Sequence, residues 1–152
     1  MNCESNNHEN NSIAEILRVI LILQQNACCE TTLDSCDRPM LGGGPNCIIC
    51  NTRPVMLYMC CGNGTPLSMP VCKDLTNVCS NTQLNSCSYE CSNVFRVEKL
   101  DGNAATFRVL IPNPEESCCN SQPYLPTNSY FTMDLSCCCI IRCLNDTYVD
   151  CV

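Results

Sequence analysis

Nine of the nineteen cysteines in this chain stand directly beside another cysteine: Cys28-Cys29, Cys60-Cys61, Cys118-Cys119 and Cys137-Cys138-Cys139. Neighbouring Cα atoms are about 3.8 Å apart, whereas an unstrained disulfide spans about 4.4–6.8 Å. Members of a pair must therefore find partners elsewhere, and in a strand they point to opposite faces. Each pair is a branch point that can join the core to a loop, or one subunit to the next. The total of nineteen is odd, so at least one thiol stays unbonded or bonds another chain.

The densest stretch is YFTMDLSCCCIIRCL, residues 130–144. Its alternation predicts one half-buried strand. Phe131, Met133, Leu135, Cys137, Cys139, Ile141 and Cys143 would form the apolar face, since a thiol packs as a small hydrophobe. Cys137, Cys139 and Cys143 are thus candidates for core or intrachain disulfide positions. Cys61 joins them, because Val55, Leu57, Met59 and Cys61 share one face of a strand expected over residues 53–61.

A chain of 152 residues is expected to form one domain with a sizeable core of its own, so small size does not explain the sulfur. The net charge is −7 and the eight basic residues form no run, which argues against nucleic acid and anionic membrane as partners. The N-terminal residues show neither the basic region nor the cleavage site of a signal peptide. The pattern predicts synthesis in a reducing cytosol, where disulfides are rare. Either the thiols hold metal, or the protein reaches an oxidising place without ordinary secretion.

In chain order, residues 1–11 are polar and Asn-rich, and read as a flexible arm carrying Cys3 and the lone His8. The remainder, 12–152, reads as a single cysteine-rich domain with a β core over about 51–145. Ser12-Ile13-Ala14-Glu15 is a capping box that opens a helix over 12–26. Ile13, Ile16, Leu17, Ile20 and Leu23 make its apolar stripe, widened by Val19, Leu21 and Ile22. Such a helix is either packed deeply on the core or shared with a neighbouring subunit. Residues 72–92 read as a surface excursion stapled by disulfides. The clearest hairpin runs over 94–111 around Asp101-Gly102-Asn103. Phe95 and Val97 should share a face with Ala105, Phe107 and Val109, leaving Arg96, Glu98 and Arg108 on the wetter side. A proline-marked loop with Cys118 and Cys119 follows, and residues 145–152 form a polar tail bearing Cys151. Cysteines in the mobile segments, Cys3, Cys28, Cys29, Cys118, Cys119 and Cys151, are the candidates for links between subunits.

Other uses of the sulfur fit less well. A zinc-thiolate protein would want paired C-x-x-C spacings, and Cys47–Cys50 has no counterpart. That pair also lacks the strand-to-helix setting of a redox motif. A cysteine hydrolase needs a histidine to activate the thiol, and the one histidine lies in the arm. No catalytic residue, cofactor or metal site is assigned, and zinc binding stands as the alternative function.

Three blocks, NTRPVMLY (51–58), FRVE with FRVL (95–98 and 107–110) and MDLSCCCIIRCL (133–144), resemble the spore coat and exosporium family that includes the proteins called CotY, CotZ and ExsY. The resemblance implies a non-enzymatic structural protein that assembles with itself, as hexamers, into a two-dimensional hexagonal lattice hardened by disulfides. Other coat or exosporium proteins would be its further partners. It also implies synthesis in the mother-cell cytoplasm and deposition on the spore surface, which would resolve the redox conflict. The chain departs from the family pattern at Cys138, where an aromatic residue is usual, so the cross-linking positions do not transfer. The expected fold is mainly β: an antiparallel, sandwich-like domain with one N-terminal α-helix.

Overall fold

A computed structural model describes residues 12–27, 50–73, 91–114, 122–150 and 152. The expected arm, the Cys28-Cys29 and Cys118-Cys119 pairs, Cys47, Cys151 and most of the 72–92 excursion lie outside the described residues. The elements in order are helix α1 (Ser12–Ala27), strands β1 (Val55–Met59), β2 (Met69–Pro70), β3 (Cys91–Ser92), β4 (Val94–Asp101), β5 (Ala104–Pro112) and β6 (Tyr124–Asp134), a 3₁₀ turn (Leu135–Cys137) and strand β7 (Cys138–Cys143). The fold is mainly antiparallel β with one N-terminal helix. Five strands form one sheet in the order β6-β5-β4-β1-β7, while β2 and β3 form a separate ribbon.

The β4–β5 hairpin follows its sequence pattern. Phe95 faces Val109, Val97 faces Phe107, and the loop between paired Asp101 and Ala104 is Gly102-Asn103. Gly102 has φ +58°, which glycine adopts at little steric cost. Phe95, Val97, Ala105, Phe107 and Val109 are fully buried and share one cluster with Val55, Leu57 and Leu135. Helix α1 covers this face with Ile13, Ala14, Leu17 and Ile20, and Met69 of the ribbon packs against the same cluster. The helix is anchored by Gln24, a polar residue on the buried stripe. Its Nε2 donates to Val97 O at 2.8 Å, and its Oε1 accepts from the Arg53 backbone N–H at 3.2 Å.

The stretch 130–144 is not one strand. It breaks at Leu135–Cys137 into β6 and β7, which occupy opposite edges of the sheet. Asp134 caps the break: its Oδ1 accepts from the Ser136 N–H and from Asn103 Nδ2, both at 2.9 Å. Strands about 4.8 Å apart would put the first and fifth of a flat sheet roughly 19 Å from each other. The chain from Asp134 to Cys138 can reach at most about 15 Å. The sheet must therefore coil. Accordingly β1 meets β4 at one paired position, Val55 opposite Phe95. The 3₁₀ turn bridges the two ends, with Leu135 N–H on Asn103 O and Cys60 N–H on Cys137 O, each at 2.9 Å.

On the hairpin's other face Glu98 and Arg108 stay partly exposed, as expected, but Arg96 does not. Arg96 is 5% exposed. Its Nη1 donates to Glu98 Oε2 at 2.7 Å, its Nε to Thr52 Oγ1 at 2.9 Å and its Nη2 to Asn51 O at 3.3 Å. Glu98 has no partner across the ladder because a bulge falls there, and its second oxygen accepts from Arg108 Nε at 2.8 Å. The guanidinium of Arg108 lies 4.8 Å from the Tyr130 ring centre. Asn51 and Thr52 lie against Arg96, and the C-terminal segment, expected to be a polar tail, covers Val94 and Leu110. Val149 is fully buried beside Val94 and Leu110.

Residues 51–54 hold that segment down. The Asn51 side chain pairs with Val149 through two hydrogen bonds of 2.8 and 2.9 Å. Thr52 and Thr147 exchange backbone bonds of 3.0 and 2.9 Å, and Pro54 O accepts from Leu144 N–H at 2.8 Å. Arg53 grips Asp146 with both guanidinium arms, at 2.6 and 2.7 Å. The hydrogen bond from Arg53 holds the Asp146 carboxyl below its ordinary pKa. A carboxylate depressed on folding contributes fully above its unfolded value of about 3.9 and loses that contribution as pH falls through the folded value. The pair is partly solvated, at 35% and 44% exposure, so its net contribution stays below about 1 kcal/mol. Acidification below pH ~4 should lower the protection factors of the Thr147 and Val149 amides, taken against the intrinsic exchange rate at each pH, and Asp146→Asn should remove most of that pH dependence. Equal dependence in both proteins would take the clamp out of the account.

Candidate functional site

The described sulfur concentrates where β1 ends against β7. Strand β7 is an edge strand with β1 on its one paired side. Met59 faces Cys138 and Tyr58 faces Ile140, so Cys139 is the extra residue of a β-bulge. Cys139 is disulfide-bonded to Cys60, with Cα atoms 4.9 Å apart and 79 residues between them in sequence. Cys61 and Cys91 are also disulfide-bonded. The adjacent pair Cys60-Cys61 therefore sends its two sulfurs to different partners.

The faces of this stretch differ from the sequence expectation. Cys138 is the buried member, 6% exposed and part of the main core cluster, whereas Cys137, Cys139 and Cys143 are exposed. Two interruptions cause the exchange. The 3₁₀ turn resets the alternation after Leu135, and the bulge at Cys139 shifts it again, so that Cys138 and Ile141 both face inward. The Cys138 S–H donates to Ile140 O at 3.4 Å, and burial pushes its thiol pKa up. Cys137 and Cys143 carry unbonded thiols open to solvent. The inter-subunit candidates Cys3, Cys28, Cys29, Cys118, Cys119 and Cys151 lie outside the described residues.

Large apolar side chains are also exposed among the described residues, on β7 and on α1. Ile140 is 53% exposed, and Ile16, Val19, Ile22 and Leu23 of α1 are between 42% and 56% exposed. The helix is thus not packed deeply all round. Ile16 and Leu23, expected in the buried stripe, lie outside it, because the sheet covers one side only. Among the described residues no group of three or more His, Cys, Asp or Glu side chains is placed to hold a metal ion. The chemistry this edge offers is that of sulfur: thiol–disulfide exchange and covalent joining of chains. Gln24 and Asn51 were given no role from the sequence, and Arg96, expected on the wetter side, is buried. Only Gln24 left a trace there, four residues beyond Ile20 on the buried stripe.

A family model described as spore coat protein Z matches residues 1–128. Two of the blocks that carry the resemblance, at 51–58 and in the hairpin, fall inside that match, and the block at 133–144 lies beyond it. No curated protein matches the chain. No solved structure matches it either.

Proposed function

The chain belongs to the spore coat protein Z family, and from that membership we propose that it builds a shell: copies assemble into a two-dimensional, hexagonal lattice, and disulfides then lock the array. Membership itself carries a structural role in the spore coat and a place at the spore surface. The finer reading adds that the protein is made in the mother-cell cytoplasm, with its thiols reduced, and is oxidised after deposition. Its partners are further copies of itself and other coat or exosporium proteins, and it performs no catalysis.

One observation supports this most: the exposed β7 edge carries a disulfide and unbonded thiols together. An enzyme nucleophile is typically enclosed beside a base, whereas these sulfurs face outward. Non-covalent contacts would order the copies. Each unstrained bridge would then add on the order of 2–4 kcal/mol, and many together make the array kinetically durable.

Electrophoresis of oxidised protein without reductant should give a ladder, or material too large to enter the gel, and reductant should return the monomer. Negative-stain microscopy should find sheets or rings. A clean monomer with and without reductant would end this reading, and stoichiometric zinc in the native protein would replace it with the thiolate one.

A further inference from the structure

The register between β1 and β7 continues one step beyond the paired strands. Met59 faces Cys138, and the next position sets Cys60 opposite Cys137, joined by the 2.9 Å hydrogen bond from Cys60 N–H to Cys137 O. That hydrogen bond keeps the two backbones adjacent, and a disulfide needs Cα atoms about 4.4–6.8 Å apart. Yet Cys60 is bonded to Cys139, the bulged residue. Cys60 therefore stands between two sulfur partners and uses one.

The unused partner can attack. Cys137 is an exposed, unbonded thiol, and both ends of the bridge are exposed too. The other nearby thiol, Cys138, is buried, and its raised pKa keeps it protonated and a poor nucleophile.

We propose that Cys60 is the hub of a disulfide relay that passes Cys139 from its own chain to a second copy. In the first step the Cys137 thiolate attacks Cys60 Sγ. The Cys60–Cys137 bond forms, the Cys60–Cys139 bond breaks, and Cys139 leaves as a thiolate. The second step rests on the self-assembly reading above. The Cys139 thiolate attacks Cys139 Sγ in the Cys60–Cys139 bridge of a second copy, joining the two chains and expelling that copy's Cys60 as a thiolate. The expelled thiolate takes up the proton that Cys137 gave up. The number of disulfides is conserved throughout, so the relay links chains without an oxidant. The bulge gives the sequence its logic: one cysteine, Cys60, is shared by the two ends of a C-x-C.

The test uses the full oxidised chain with oxygen excluded, at neutral and mildly alkaline pH. Samples are quenched in acid and alkylated, and the bridges are mapped by tandem mass spectrometry on mixed ¹⁴N- and ¹⁵N-labelled chains. Cys60–Cys137 should be found alongside Cys60–Cys139, together with Cys139–Cys139 links joining light and heavy chains. Cys139→Ser should carry the Cys60–Cys137 bridge. Cys137→Ser should keep Cys60–Cys139 and slow oxygen-free linking at least tenfold. Recovery of Cys60 as an alkylated thiol in Cys139→Ser that keeps its circular dichroism would overturn the relay, as would linking in Cys137→Ser at the parental rate. Should no chain link even in air, the shell reading falls, while the first step is still judged by the Cys60–Cys137 bridge alone.

Discussion

Arg96→Ala should destabilise the protein by about 3–5 kcal/mol, the usual cost of removing one partner from a buried ion pair. Arg96 is 5% exposed, and its hydrogen bonds go to Glu98, Thr52 and the Asn51 carbonyl. Truncation leaves the Thr52 and Asn51 acceptors without their donors beneath the C-terminal segment, and leaves Glu98 with Arg108 as its remaining cation. Burying unpaired polar groups is what makes the change expensive. Arg96→Lys keeps the charge but not the planar fork, so it should restore only part of the loss. Arg53→Ala is the contrast: it breaks a two-armed but solvated pair and should cost less than about 1 kcal/mol. Urea unfolding at fixed redox state measures all three. Should Arg96→Ala and Arg53→Ala shift the midpoint equally, the buried network does not hold this face together.

The same residues mark what was legible in the sequence. The β4–β5 hairpin could be read because every local signal agreed: alternation on both sides, a Gly able to take φ +58°, and a short loop. The N-terminal helix was equally clear in position, but not in how much of it is covered, since coverage depends on what packs against it. The break at Leu135–Cys137 left a trace in Asp134-Leu135-Ser136, where an Asp side chain can accept from the backbone two residues on. Apolar alternation across the break masked it. Cys138 turns inward because the 3₁₀ turn resets the alternation after Leu135, and the further shift at Cys139 could not be read at all, because that bulge exists only in the pairing with β1. Arg96 was assigned to a wet face for a similar reason: its partners Asn51 and Thr52 lie about 45 positions earlier in the chain. Local chemistry fixes elements; the lids over them are decided by distant segments.

Phe95→Ala should rank with Arg96→Ala, at about 3–5 kcal/mol, as expected for emptying a buried Phe site. The chain has three phenylalanines and no tryptophan, and the three form one cluster. Phe95 meets Phe131 edge-on at 4.8 Å and Phe107 at 6.4 Å, while Phe107 stacks on Phe131 at 5.3 Å. Such pairs add about 0.5–1.5 kcal/mol each beyond the area they bury. Phe95 has a second role that Phe107 lacks. It faces Val55 at the one paired position between β4 and β1, so it joins the hairpin to the β1–β7 edge that bears the Cys60–Cys139 bridge. Phe107→Ala should therefore cost a similar amount of global stability without loosening that edge selectively. Hydrogen exchange under native conditions separates the two effects, because it reports local opening as well as global unfolding. Amides of residues 55–59 and 138–143 should exchange faster in Phe95→Ala than in Phe107→Ala, after allowance for each variant's global stability. Phe95→Leu should recover more than half of the loss, since it refills most of the cavity. Uniform acceleration in both alanine variants would mean that the edge is held by the bridge and by β7 rather than by the Phe95–Val55 contact.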